Sequence, residues 1–246
     1  MHGSIRRVTV RGEPRWHRRW ARLWMRQAHR QGVGRAATWL AGLFLPPLYG
    51  RVPLAGMNPR GYLSPRAHLF HPGLSLGRHC FIGDRVLFYR DSGGADVSLG
   101  DGVHIHQDTV VQTGQGGRIS IGDGTHIQSR CQLSAYLGAL TIGARVEIAP
   151  NCAFYPYNHG MDGTTLIRAQ PLVSSGGISV GDEAWIGFGV VLLDGARVGR
   201  GAVIGAGAVV VGEVPAYAVA IGVPARVVGM RGEFPTRSSA DERAVG

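Results

Sequence analysis

From residue 70 onward an aliphatic or aromatic side chain recurs at every sixth position. The series runs Phe70, Leu76, Ile82 and Phe88; Leu99, Ile105 and Val111; Ile121, Ile127 and Leu133; Ile142, Ile148 and Phe154. After an interruption it resumes as Val180, Ile186, Leu192, Val198, Ile204 and Val210. Four residues after most of these stands a small or short residue, as at Cys80, Thr109, Thr125, Cys131, Cys152, Ala184, Ala196, Ala202 and Ala208. A period of six fits neither the 3.6 of a helix nor the alternation of a strand meander. It fits a chain wound into a triangular coil, with a large side chain pointing inward from each wall and a small one where two walls converge. Three sides make a turn, and successive turns stack about 4.8 Å apart as parallel strands. The starts at 180, 198 and 216 keep an eighteen-residue step.

Where the step lengthens, the extra residues must leave the coil. The steps Leu76 to Leu99, Leu99 to Ile121 and Ile121 to Ile142 predict small bulges near 89–98, 116–120 and 138–141. The step from Ile142 to Val180 predicts one large loop at about 160–177, and a long insertion in a rigid repeat is where function concentrates. Ahead of the repeat the pattern changes to a helical one. Trp16, Trp20, Leu23 and Trp24 share one helix face, and Arg15, Arg18, Arg19, Arg22 and Arg26 take much of the remainder. A second apolar segment, Trp39 to Leu45, ends at Pro46-Pro47. The chain therefore divides into a basic helical arm and linker (1–60), a β-solenoid (61–229) and a polar, disordered tail (230–246).

Charge follows the same division. All 26 basic residues are Arg and none is Lys; residues 1–60 carry 12 Arg and one acid, whereas 61–246 carry 14 Arg and 15 acids. The net charge of +10 is thus a property of the arm. Nucleic acid is not the expected partner, because a basic face on the body is missing. The arm has two readings: a cap that the open end of a solenoid needs, or, through residues 14–45, an amphipathic surface for an anionic membrane. The absence of Lys excludes a Walker A loop and a lysine Schiff base. The 39 Gly show no three-residue period, which excludes collagen, and serve mainly as corners.

Motifs that look chemical fail in context. Gly73-Leu74-Ser75-Leu76-Gly77 matches a nucleophile elbow, but Leu76 is in repeat register and no strand-turn-helix surrounds it. Cys80, Cys131 and Cys152 occupy inward small-residue positions, which suits core filler and a reduced, cytoplasmic setting. His104 and His126 fall at equivalent positions of successive coils, with His106 close by; they read as surface histidines, and no metal is expected.

The stretch Ile142 to Gly229 carries a resemblance. TIGARVEIAPNCAFYPYNHG, the QPL of the insertion, and ISVGDEAWIGFGVVLLDGARVGRGAVIGAGAVVVGEVPAYAVAIGVPARVV resemble the hexapeptide-repeat acyltransferases, most closely sugar and exopolysaccharide O-acetyltransferases. The resemblance implies a left-handed parallel β-helix, a homotrimer with sites between neighbouring subunits, acetyl-CoA or another acyl-CoA as co-substrate, and a sugar or glycan acceptor. The family's catalytic His lies eighteen residues after the Thr of the TIG step, which is His159 after Thr141. His159 also stands at the start of the long insertion, and an imidazole there can act as general base at neutral pH. Asn158 is expected to line the acceptor site and Asp162 to orient the imidazole. Ser129, Gln132 and Ser134 of the preceding coil are candidate acceptor contacts. Family contacts to coenzyme A map onto Phe188, Ala206 and Arg226, with Trp185 near the pantetheine arm. Val211-Gly212-Glu213 stands where many relatives have Thr-Lys-Asp, so the Thr and Lys contacts are lost. The implied activity is O-acyl transfer to a sugar, polysaccharide or glycolipid hydroxyl. The alternatives are N-acyl transfer to an amino sugar, or a non-catalytic β-helix scaffold. The expected location is cytoplasmic, with peripheral attachment to the inner face of the cell membrane under the lipid reading of the arm.

Overall fold

A computed structural model describes residues 15–28 and 33–234. Most of the polar tail, 235–246, lies outside the described residues, as do 1–14 and 29–32. The body is a three-walled parallel β-solenoid of about seven turns. Its inward column on the first wall is Leu63, Ile82, Ile105, Ile127, Ile148, Ile186, Ile204 and Ala220, each in register with the next. Phe88, Val111, Leu133, Phe154, Leu192 and Val210 form the second column, and Leu76, Leu99, Ile121, Ile142, Val180 and Val198 the third. The small residues four positions on are sealed at the corners, with Val103, Thr109, Thr125, Ala196, Ala202 and Ala208 all fully buried. Removing this apolar surface from water, at ~25 cal/mol per Å², is what holds the coils together.

Two phases of the repeat differ from expectation. Phe70 is exposed and pairs with Tyr89, while Leu69, in register with inward Phe88, takes the inward phase of the first coil yet remains 44% exposed. At the other end Val198 is in register with Val214, so the last turn is two residues short and Ala216 lies beyond the wall. The shortening falls in Val211-Gly212-Glu213, between the second and third walls.

The insertions share one corner. The segments 91–96, 115–118 and 137–139 and the long loop all leave the coil between the second wall and the third. They bond to one another as they stack: the Gln115 N–H donates to the Ser92 carbonyl at 2.9 Å and the Leu137 N–H to the Gln115 carbonyl at 3.2 Å.

The arm folds as helix α1 (Arg15–Met25), helix α2 (Gly34–Ala41) and a 3-10 segment (Leu48–Met57). It packs on the outer face of the first wall beside the first coil. Ala21, Met25, Ala41, Leu45, Leu54 and Ala55 cluster with Tyr62 and Phe81, whose neighbours Leu63 and Ile82 point inward. The Asn58 amide donates to the Met25 carbonyl at 2.7 Å, and Trp20 Nε1 to the Leu40 carbonyl at 2.7 Å. The centre of the face that α1 buries is therefore Ala21 and Met25, small or unbranched residues that allow close approach, with Trp24 packed beside them, Trp20 half-buried against α2 and Trp16 left exposed.

The outer face of the first wall continues as a ladder of rings. Tyr62 stacks on Phe81 at 5.3 Å, and the His104 and His126 rings lie parallel at 4.4 Å. Buried His106 sits between Tyr49 and Phe81, and His126 faces Glu147 at 3.1 Å. Burial, with His126 nearby, lowers the pKa of both His104 and His106 from 6.5 to about 4. A folded-state pKa below the unfolded one means the unfolded chain binds protons first on acidification. Stability from these two groups is complete above pH 6.5 and is lost as pH falls towards about 4. The thermal midpoint should drop across that window, and His106→Gln should flatten the drop; an unchanged slope in the variant would count against the assignment.

Candidate active site

The long loop is a flap. The chain leaves the second wall at Tyr155, and Asn158–His159 pairs antiparallel with Leu172–Val173, so His159 lies opposite Leu172. The pairing extends through the Gly160 N–H, which donates to the Pro171 carbonyl at 2.9 Å. Gln170 ties the interior of the flap: its Oε1 accepts from the Asp162 N–H at 2.7 Å, and its Nε2 donates to the Thr165 carbonyl at 2.9 Å. Asp194 pins the returning limb, accepting from Ser174 Oγ at 3.0 Å and from the Ser175 and Gly177 N–H groups. The base of the flap lies against Gly138, where an added Cβ would come within 2.7 Å of the Pro156 carbonyl oxygen and 2.6 Å of Ser174 Oγ. Only a residue without a side chain admits that approach.

The histidine is presented outward on this platform. Asn158 and His159 are both exposed, which leaves the imidazole open to a substrate. Directly before them in the chain stand Tyr155 and Tyr157, which with Tyr136 form a cluster that the repeat pattern does not single out. The Tyr136 and Tyr157 rings are 5.2 Å apart, and Tyr155 and Tyr157 are 6.0 Å apart. Tyr136 donates to Asp91 at 2.8 Å, and burial together with that bond raises its pKa. The sequence signal for this cluster was the alternation in Tyr155-Pro156-Tyr157 directly before Asn158-His159.

Two expected site residues are held by other bonds. Among the described residues, no hydrogen bond or ion pair joins Asp162 to His159; the bonds that hold Asp162 run through its backbone to Gln170. Ser134 is fully buried, and its Oγ accepts from Gln112 Nε2 at 2.6 Å, so it has no face for an acceptor. Ser129 sits in the turn before the second wall, its carbonyl taken by the Asn151 N–H, and Gln132 begins that wall half-buried.

The residues expected to meet coenzyme A gather on a different edge. Trp185 is on the outer face of the first wall, Phe188 follows it at the corner with the second wall, and Ala206 occupies the same corner one coil later. The Gly207 N–H donates to the Phe188 carbonyl at 2.8 Å across these coils. Arg226 lies opposite Ile221 on the closing antiparallel strand. Trp185 and Phe188 are 55% and 54% exposed, and Arg226 is exposed as well. Two large bare aromatic groups and an exposed guanidinium, one of whose N–H groups donates to the Ala225 carbonyl at 3.0 Å, suit a long thiol arm with a phosphate-bearing end. One whole wall separates this edge from the flap corner.

No cysteine offers a nucleophile: all three are buried, and the bond to Cys152 together with burial raises the Cys131 thiol. Among the described residues, no three His, Cys, Asp or Glu side chains are grouped for a metal ion.

Comparison with known proteins bears on the repeat directly. The family profile "Bacterial transferase hexapeptide (six repeats)" matches residues 177–212. This chain carries the bacterial transferase hexapeptide repeat. The hexapeptide-repeat chain is 32% identical over 180 residues to a probable acetyltransferase of Mycobacterium tuberculosis, an alignment covering 73% of this chain and 59% of that one. It is 38% identical to the galactoside O-acetyltransferase of Escherichia coli over 36% of this chain and 43% of that protein. With the galactoside O-acetyltransferase of Lactococcus lactis the identity is 26%, covering 62% and 60%. The chain thus spans less than two thirds of the length of these relatives. Among solved structures, a hexapeptide-repeat acetyltransferase of Vibrio cholerae complexed with acetyl coenzyme A superimposes with a TM-score of 0.46, at 18% identity over 87% of each chain.

Proposed function

We propose that this chain is an acyl-CoA-dependent O-acyltransferase acting on a sugar hydroxyl, by direct transfer with His159 as general base. The observation that carries the reading is an exposed histidine held on a paired flap, one residue beyond Asn158 and two beyond Tyr157 of a tyrosine cluster, with all three cysteines buried. Aromatic faces suit the apolar face of a sugar ring, and Tyr155, Tyr157 and Asn158 flank the place where an acceptor hydroxyl would meet His159.

The acyl donor supplies a thioester carbonyl. His159 takes the proton of the acceptor hydroxyl as its oxygen bonds to that carbonyl carbon. The carbon–sulfur bond then breaks, and the imidazolium returns the proton to the leaving thiolate, so no acyl-enzyme forms. Backbone N–H groups hold the negative oxygen in between. Because the donor surface and His159 lie on different edges of one protomer, the reading places each complete site between two copies of the chain, as in a trimer.

A thiol-release assay of several acyl-CoA donors against free sugars, amino sugars and lipid-linked glycans tests this reading. Release that depends on a hydroxyl acceptor, with an alkali-labile ester as product, is expected. An alkali-stable amide formed only with amino sugars would replace O-transfer with N-transfer, and no release with any pair would sink the enzymatic reading.

A further inference from the structure

Helix α1 buries one side and leaves the other bare. Ala21 and Met25 pack against the arm cluster, and directly opposite them, at helical spacings of three and four, stand Trp16, Arg19, Leu23 and Arg26. Trp16 is 49% exposed and Leu23 56%, and Arg18, Arg19, Arg22 and Arg26 are all exposed. The apolar surface continues beyond the helix. Phe44 lies 5.0 Å from Trp16 and 5.5 Å from Trp20, and Trp39 and Leu43 project from α2 and its end, 55% and 47% exposed. Helix α1 contains no acidic residue, and among the described residues no ion pair engages its arginines.

We infer that this outward face of the arm docks on an anionic lipid bilayer, while the inward face fixes the arm to the solenoid. The occupant must take hydrocarbon and cation side by side over a convex surface. A bilayer interface does so: indoles sit at headgroup level, Leu reaches the acyl chains, and guanidinium groups stay with lipid phosphates. Nucleic acid would satisfy the arginines and leave Leu23 and Leu43 uncovered. A second copy of the same face would set Arg19, Arg22 and Arg26 against themselves. None of the described helices is long and apolar enough to cross a membrane, so the contact is peripheral. One side of α1 thus packs with the arm cluster on the outer face of the first wall, and the other is the membrane surface.

The test floats the full chain with vesicles of phosphatidylglycerol or of phosphatidylcholine. Binding to the anionic vesicles, release by salt and a blue shift of tryptophan emission are expected. Loss of charge should weaken binding about fivefold for each Arg near the surface, or about a hundredfold for Arg19→Gln/Arg22→Gln/Arg26→Gln. Trp16→Ser/Leu23→Ser should reduce the blue shift, leaving the part that Trp39 contributes. The thermal midpoint of the triple Arg variant should stay at the wild-type value, since among the described residues no ion pair engages these arginines. Equal binding to both vesicles, unchanged binding of the triple variant, or displacement from vesicles by stoichiometric duplex RNA would overturn the proposal. So would a midpoint that falls together with binding.

Discussion

Replacing His159 with Ala is expected to lower the turnover number for acyl transfer by about 10²–10⁴-fold, the contribution of a positioned general base. The imidazole is exposed on the flap, and among the described residues no hydrogen bond or ion pair joins it to another titratable side chain that could relay the proton in its place. The apparent affinity for the acyl donor should change little, because Trp185, Phe188 and Arg226 lie on another edge of the protomer. A fall in kcat without a matching rise in donor KM is the signature of an interaction made in the transition state. Folding should survive, since the flap is tied by Gln170 and Asp194 rather than by the His159 side chain. Steady-state kinetics against the acceptor found by thiol release provide the measurement. Turnover within about tenfold of wild type would remove His159 from the chemistry, and a parallel loss of thermal stability would make its role structural.

The body of the fold was legible because every inward residue is sandwiched between coils, so the six-residue pattern is repeated by packing at each level. Legibility failed where that repetition stops. Phe70 and Leu69 are both large and apolar, and the first coil has no preceding coil to decide which one turns in. At the last turn Val214 and Ala216 both suit an interior position, and the two-residue shortening at Val211-Gly212-Glu213 chooses Val214. On the arm, spacing grouped the tryptophans as the apolar face; packing against Tyr62 and Phe81 centres on Ala21 and Met25, keeps Trp24 at its margin and leaves Trp16 exposed. The flap was predicted as an insertion and its histidine singled out by position. Its internal bonding was not, because the partner of a loop carboxylate depends on the loop's path; here Gln170, eight residues on, takes the backbone of Asp162. Ser134 failed for a similar reason, since an outward register position does not reveal that Gln112 will close over it.

The distance between the two halves of the site leads to the other large effect. Take His159→Ala as one inactive parent, and Ala206→Glu/Arg226→Glu as the second. The latter sets two carboxylates where a phosphate-bearing donor would lie, and like charges brought together there cost several kcal/mol, enough for at least about a hundredfold loss. Each parent alone should be nearly silent. If His159 and the donor surface of one site come from different copies, an equal mixture of the two, unfolded and refolded together, forms some sites with both halves intact. In a closed ring assembly of any size, about one site in four should pair a wild-type flap with a wild-type donor edge. Activity should then recover to roughly a quarter of the refolded wild type, measured by thiol release at matched protein concentration. If both halves of each site belonged to a single protomer, every site in the mixture would lack one half, and the mixture would stay as silent as its parents. The recovered fraction therefore measures whether the wall between the flap corner and the Phe188–Ala206 edge is bridged by a neighbouring copy.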